Sequence, residues 1–149
     1  MPACSRANFL FHLLCLSLVP RLSLVLQVEK ARRHIVDRLL TLQCPRCGAA
    51  FLDFTGCFAL TCHRCNCGFC GWCLADCGAD AHAHVVHCPQ NAANGDVFGT
   101  QQAFQRAQTD RRQREVAAYL AALGEPLRAR VVALCAQDFA DLNIVVDGV

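Results

Sequence analysis

The chain has 149 residues, a formal net charge of +2 and 17% charged residues. This length allows one domain, or one small module with helical flanks, and the near-neutral charge demands no acidic partner. The apolar fraction of 54% counts thirteen cysteines, so it overstates the material for an ordinary hydrophobic core.

Residues 1–27 form an apolar leader whose status the sequence leaves open. The apolar run Asn8–Val19 follows Arg6, as in a signal peptide, but no small-x-small cleavage site comes after it. Pro20-Arg21 interrupts the run and is costly in the roughly 20 apolar residues that a membrane span needs. We therefore expect no membrane partner. Because metal-bound thiolates fit a reducing compartment, we expect a cytoplasmic, intracellular protein, with secretion through a cleaved leader as the alternative.

Residues 28–43 are predicted to form a helix that leads into the cysteine-rich region. Val28, Ile35, Leu39 and Leu42 recur at spacings that place them on one helical face, and charged residues occupy the others. The helix delivers the chain directly to the first cysteine pair.

Residues 44–90 hold ten of the thirteen cysteines, arranged around three Cys-x-x-Cys pairs: Cys44–Cys47, Cys62–Cys65 and Cys70–Cys73. A tight pair of this kind directs both sulfurs to one point, which suits a tetrahedral zinc ion. A disulfide framework is the alternative, but disulfides within such pairs are typical of redox motifs, and no βαβ pattern is present. The spacing therefore favours two structural zinc ions.

Eight ligands suffice for two zinc ions, and the order of the pairs assigns them. A predicted β-hairpin with Thr55-Gly56 at its tip brings the first two pairs together. The first site is expected to contain Cys44, Cys47, Cys62 and Cys65, and the second Cys70, Cys73, His84 and Cys88. Competitors for the last two positions of the second site are Cys77, His82 and His87.

Aromatic residues accompany the cysteine pairs. We expect them to form a small core between the zinc sites, since aromatic rings bury large areas, and not a recognition surface. They are Phe51, Phe54, Phe69 and Trp72.

Residues 100–149 are predicted to form two helices. Apolar residues recur at helical steps over Thr100–Leu123, and Pro126 is placed to start a second helix that runs to about Phe139. Its inward positions are predicted to be Leu127, Val131, Leu134 and Cys135. The predicted fold is a small zinc-stabilised α+β module, an irregular hairpin with two zinc sites, flanked by an N-terminal helix and a C-terminal helical pair.

Cys57 is one of three cysteines of residues 44–90 that are left over once eight ligands are assigned. A surplus cysteine is either a small buried hydrophobe or, where its thiolate is favoured and exposed, a nucleophile. The run from Cys44 to Cys73 resembles the second, catalytic RING of the RING-between-RING ubiquitin ligases, and the related in-between-RING zinc fold shares much of the spacing. The motifs that match are Cys-Pro-Arg-Cys, then nine residues that end in Gly56, then Cys57, and after it Cys-x-x-Cys and Phe-Cys-Gly-Trp-Cys.

This resemblance implies a ubiquitin-protein transferase in which Cys57 is catalytic. In the family, the corresponding cysteine accepts ubiquitin as a thioester from a ubiquitin-conjugating enzyme and passes it to a lysine, so these two proteins are the implied partners. The family usually has a histidine, acting as general base, two residues after the nucleophile. This chain has Ala59 there, and His63 is the nearest substitute in the sequence.

Ala59 and the lack of a first RING in this sequence favour an alternative, a non-catalytic zinc-binding module that binds another protein. Nucleic-acid binding is a weaker hypothesis. It rests on basic residues that alternate with acidic ones on a predicted helix, and no aromatic stacking series accompanies them. These basic residues are Arg106, Arg111, Arg112 and Arg114.

Overall fold

The computed structural model describes residues 23–51 and 54–146. Most of the predicted leader, residues 1–22, lies outside these ranges, as do residues 52–53 of the predicted hairpin. The described chain has an N-terminal helix, a two-stranded antiparallel hairpin and C-terminal helices, which confirms the predicted fold class.

The N-terminal helix, α1, is α-helical over residues 23–34 and π-helical over Ile35–Leu40. At the end of this segment the hydroxyl of Thr41 donates to the carbonyl of Val36 at 2.9 Å. One apolar face of the helix is buried, including Val28 and Ile35.

The hairpin pairs β1 (Ala59–Thr61) with β2 (Gly68–Cys70), and Leu60 lies opposite Phe69. A hairpin was predicted, but its tip does not lie at Thr55-Gly56. The second cysteine pair forms the turn instead, because the amide of Cys62 donates to the carbonyl of Cys67 at 2.9 Å and closes it.

The predicted tip, Thr55-Gly56, lies instead at an antiparallel contact between residues 56–58 and residues 97–99. The amide of Phe58 donates to the carbonyl of Val97 at 2.7 Å, and that of Gly99 donates to Gly56 at 2.8 Å. A single β-bridge joins Cys57 to Phe98 between them. The segment around Cys57 is therefore hydrogen-bonded to the residues that directly precede the helix Gln101–Ala121.

Four helices follow the hairpin: α2 (His82–His87), α3 (Gln101–Ala121), α4 (Leu127–Leu134) and α5 (Ala136–Asp141). The hydroxyl of Thr100 caps α3 by accepting from the amide of Ala103 at 3.1 Å. Within the described chain, no helix combines the length and apolar character needed to cross a bilayer.

The predicted second C-terminal helix is two helices, α4 and α5, which meet at Cys135. Val131, Val132 and Cys135 are buried and define its inward face. Leu134 falls at the edge of that face, because consecutive helical residues are rotated by about 100°. Its side chain is 41% exposed, so its predicted inward position is wrong.

Two hydrophobic cores share helix α3. The first surrounds the cysteine pairs, where Phe58 stacks on Trp72 with ring centroids 3.9 Å apart and Phe54 stacks on Phe104 of α3 at 4.2 Å. The expected aromatic core is therefore present, with Phe58 at its centre. The second core joins α1, the later part of α3, α4 and α5, and it includes Ile35, Val116, Leu120, Val131 and Cys135.

A buried polar chain connects these two cores. Gln108 of α3 donates to the carbonyl of Gly71, in the third cysteine pair, at 2.5 Å. The side-chain carbonyl of Gln108 accepts from Arg111 Nε at 3.0 Å. Arg111 also donates to the backbone carbonyl of Leu39 at 3.2 Å. The two side chains thus satisfy backbone acceptors on both sides of α3.

Three of the four arginines on which the nucleic-acid hypothesis rests have hydrogen-bond partners in the fold, and one of them, Arg114, donates to the side-chain carbonyl of Gln90 at 2.5 Å. Arg111 is 2% exposed and also pairs with Glu115 at 2.6 Å, and burial lowers the pKa of its guanidinium. Arg112 donates to the carbonyl of Leu40 at 2.7 Å. Arg111 and Arg112 thus donate to carbonyls at the C-terminal end of α1 that have no partner within the helix, and positive charge is favourable at that end.

Candidate functional site

The three cysteine pairs share one backbone conformation. In each, the amide four residues after the first cysteine donates to that cysteine's carbonyl: Gly48 to Cys44 at 2.9 Å, and Asn66 to Cys62 and Leu74 to Cys70 at 2.8 Å. The donor residue is left-handed in every case, with φ of 69°, 54° and 58° respectively. This turn bends the chain so that both sulfurs of a pair face the same point.

The first two pairs form one group of four thiols. The Sγ atoms of Cys44 and Cys65 are 3.6 Å apart, as are those of Cys47 and Cys62, and all four lie within 4.8 Å of one another. A tetrahedral zinc ion with bonds of about 2.3 Å separates its sulfur ligands by about 3.8 Å. The group therefore has the size and donor chemistry of a closed structural zinc site.

The second group combines three elements. Cys70 ends β2, Cys73 lies in the following turn, His84 is on α2, and Cys88 follows α2. His84 Nε2 lies 3.2 Å from Cys73 Sγ, and the four ligand atoms again lie within 4.8 Å of one another. This set also fits a tetrahedral zinc ion.

In the second group the surroundings of Cys73 favour its thiolate form. A hydrogen bond with Cys70 lowers the pKa of Cys73 to about 5, while the same hydrogen bond, together with burial, raises the pKa of Cys70. Thiolates are the form that binds zinc. The chain thus has two separate Cys/His groups within metal-binding distance, consistent with two zinc ions, as predicted. All eleven described cysteines are free of disulfides.

The competing ligand residues lie outside both groups. Cys77 donates its thiol to the carbonyl of Ala75 at 3.2 Å, and the ring of His82 is paired with Asp80. His87 is exposed on α2. The structure therefore brings together the same eight residues that the order of the pairs selected.

Cys57 also lies outside both groups, and its side chain is partly exposed. Its sulfur lies 3.8 Å from His82 Nε2. The other ring nitrogen of His82, Nδ1, lies 2.5 Å from Asp80 Oδ1, and the same oxygen accepts from the backbone amide of His82 at 3.1 Å. These hydrogen bonds with His82 hold the pKa of Asp80 below its usual range.

The sequence does not reveal His82 and Asp80 as part of this site, because the spacing presents His82 only as a candidate zinc ligand. The spacing of Asp80 and His82 is a local signal for an Asx-type turn. No local signal places His82 beside Cys57, since 25 residues separate them. His63, the substitute suggested by the sequence, is exposed in the turn of the second pair.

Comparison with known proteins gives one partial similarity. The chain is 41% identical over 49 residues to Cullin-9 from Mus musculus, which is 33% of this chain and 2% of the length of Cullin-9. No protein-family model matches the chain, and no solved structure matches it. The similarity and the two Cys/His groups together support a zinc-finger-like module.

Proposed function

We propose that the eight residues of the two Cys/His groups hold two structural zinc ions, and that this scaffold presents Cys57 as an acceptor of ubiquitin. The observation that carries the proposal is the position of Cys57, a partly exposed thiol outside both groups with an imidazole 3.8 Å away. The spacing shared with the catalytic RING of RING-between-RING ligases supports the choice of ubiquitin.

The zinc ions would hold the fold together and take no part in the reaction, because a site with four protein ligands leaves no open coordination position. The residues that would bind them are Cys44, Cys47, Cys62 and Cys65 in one site, and Cys70, Cys73, His84 and Cys88 in the other.

The reaction has two steps at one sulfur. The thiolate of Cys57 attacks the thioester carbonyl that links ubiquitin to a conjugating enzyme, so a new carbon–sulfur bond forms and the enzyme's cysteine leaves as a thiolate. A lysine amine then attacks the new thioester. An amide forms, the bond to Cys57 breaks, and the thiol is regenerated.

The test is to mix the protein with a ubiquitin-loaded conjugating enzyme and resolve the products without reductant. We expect a ubiquitin adduct that disappears on reduction and is absent in Cys57→Ser. Cys135→Ala is the matched control, because Cys135 is buried in the helical core and should leave the adduct intact. A reducible adduct that persists in Cys57→Ser would show that the nucleophile is another cysteine.

A second candidate is a non-catalytic module that binds a protein partner. Ala59 at the family's histidine position favours it, as does Phe98, which is 65% exposed and bridges directly to Cys57. Alkylation of the folded protein separates the two candidates. A Cys57 that reacts no faster than the buried Cys135 would favour the binding module.

A further inference from the structure

The ring of His82 lies beside Cys57, with its Nε2 atom 3.8 Å from the sulfur. We propose that His82, oriented by Asp80, is the general base for reaction at Cys57, in place of the histidine that is absent at position 59. The inference rests on the proposed function, and it assigns a second catalytic residue and a positioning residue to the same site.

Asp80 determines which nitrogen of His82 faces the sulfur as an acceptor. A carboxylate only accepts hydrogen bonds, so its contact with Nδ1 at 2.5 Å places the proton of the neutral ring on that nitrogen. Nε2 is then unprotonated and points toward Cys57 Sγ at 3.8 Å. The arrangement is nucleophile, base and orienting group in series.

The separation of 3.8 Å is long for a committed proton transfer, but catalytic contacts are often loose until a substrate is bound. Solvent exposure of the site agrees with a large acceptor, since the side chains of His82 and Asp80 are 55% and 70% exposed.

The other described histidines are placed elsewhere. His84 contacts Cys73 in the second metal group, and His34 packs against the ring of Tyr119, 4.7 Å between centroids. His63 and His87 are exposed on the second cysteine turn and on α2. Among the described histidines, His82 is the one that contacts Cys57.

The step assigned to His82 is the discharge of ubiquitin. The lysine nitrogen attacks the carbonyl of the Cys57 thioester and gives a proton to His82 Nε2. The carbon–sulfur bond breaks, the amide forms, and Cys57 leaves as a thiolate. His82 then returns the proton to the sulfur, so the site ends in its starting state.

The experiment separates loading from discharge. The Cys57 adduct is formed first, the conjugating enzyme is quenched, and free lysine is added in a single turnover. We expect His82→Gln to slow discharge by about 100-fold, a typical contribution of general-base catalysis. His87→Gln is the matched control, because it removes an exposed histidine from the same helix, and its discharge rate should equal that of the wild type.

Two further measurements exclude a purely structural role. Added imidazole should restore part of the discharge rate to His82→Ala, and it should not accelerate His87→Ala. Asp80→Asn, which keeps the shape but loses the negative charge, should slow discharge less than His82→Gln. Zinc content and tryptophan fluorescence should match the wild type in all of these variants.

The outcomes distinguish this inference from the proposed function. An adduct that forms on the wild type and discharges equally fast from His82→Gln would overturn the role of His82 and leave Cys57 as the acceptor. Failure of the wild type to form an adduct would overturn both. Slow discharge from His82→Gln with imidazole rescue in His82→Ala establishes the base.

Discussion

Three residues with left-handed backbone shape the three cysteine turns, and the conformation costs each of them differently. Gly48 adopts its φ of 69° without steric penalty, and Asn66 tolerates this region better than most residues. Leu74 has φ of 58° and carries a branched side chain, which packs against the core around the cysteine pairs. Its burial offsets the backbone strain.

The tolerance of glycine for a left-handed backbone predicts the effect of adding one methyl group at Gly48. Gly48→Ala should lower the free energy of unfolding by about 1–2 kcal/mol, because an L-residue in the left-handed region costs about that much. Steric clash adds little, since a Cβ at Gly48 would lie 3.6 Å from its nearest neighbour. Denaturant titration of the zinc-loaded protein measures the change.

Gly124→Ala is the control for this substitution. Gly124 lacks a left-handed φ, and a Cβ there meets nothing within 4 Å, so its free energy of unfolding should change by less than about 0.5 kcal/mol. Equal changes at the two positions would contradict the argument from backbone strain.

At the scale of elements, helix α3 holds the fold together through buried side chains that a helical pattern does not reveal. Arg111 is among the largest fully buried side chains of the described residues. It donates to the carbonyl of Leu39 on α1, and its Nε donates to the side-chain carbonyl of Gln108. Losing it would leave the Leu39 carbonyl without that donor.

We therefore expect Arg111→Met to lower the free energy of unfolding by about 2–3 kcal/mol, the cost of leaving buried polar groups unsatisfied. Thermal or denaturant unfolding followed by circular dichroism measures the loss. Arg106→Met changes an exposed arginine on the same helix and should be nearly neutral. If the two variants were equally stable, the contacts of Arg111 would contribute nothing to the fold.

The sequence predicts those features that depend on local spacing. Each Cys-x-x-Cys pair closes its own turn, so six of the eight residues of the metal groups follow from short-range patterns, whereas the choice of His84 and Cys88 among several candidates does not. Apolar periodicity likewise predicts helices α1 and α3. Local spacing does not predict the position of the hairpin. The hairpin turn forms at Cys62 and not at Thr55-Gly56, because hydrogen bonds within residues 62–67 close it there. The pairing of Cys57 with His82 is a tertiary contact with no local signal.

At the scale of the whole molecule, the two hydrophobic cores differ in how far metal binding stabilises them. The core around Phe58 and Trp72 lies among the cysteine groups, whereas the core of α1, α3, α4 and α5 contains neither metal group. Metal should therefore be essential to the first core and less so to the second.

Removal of zinc tests this division. Trp72 is the single tryptophan of the chain and stacks on Phe58, so chelation should expose it and shift its fluorescence to longer wavelength. Helical circular dichroism should persist in part, because the second core remains, and added zinc should restore the original spectrum. Unchanged fluorescence after exhaustive chelation would refute the role of metal.

The antiparallel contact of residues 56–58 with residues 97–99 bears on how the protein should be cut for experiments. A recombinant piece ending at residue 90, just past the last cysteine of the cluster, would lack Phe98 opposite Cys57 and Phe104 beneath the aromatic stack. The thiol of Cys57 would then lie on a segment that has lost its β-bridge partner. Because the later part of α3 packs on α4 and α5, the shortest piece worth expressing for biochemical assays extends through α5 to Ile144.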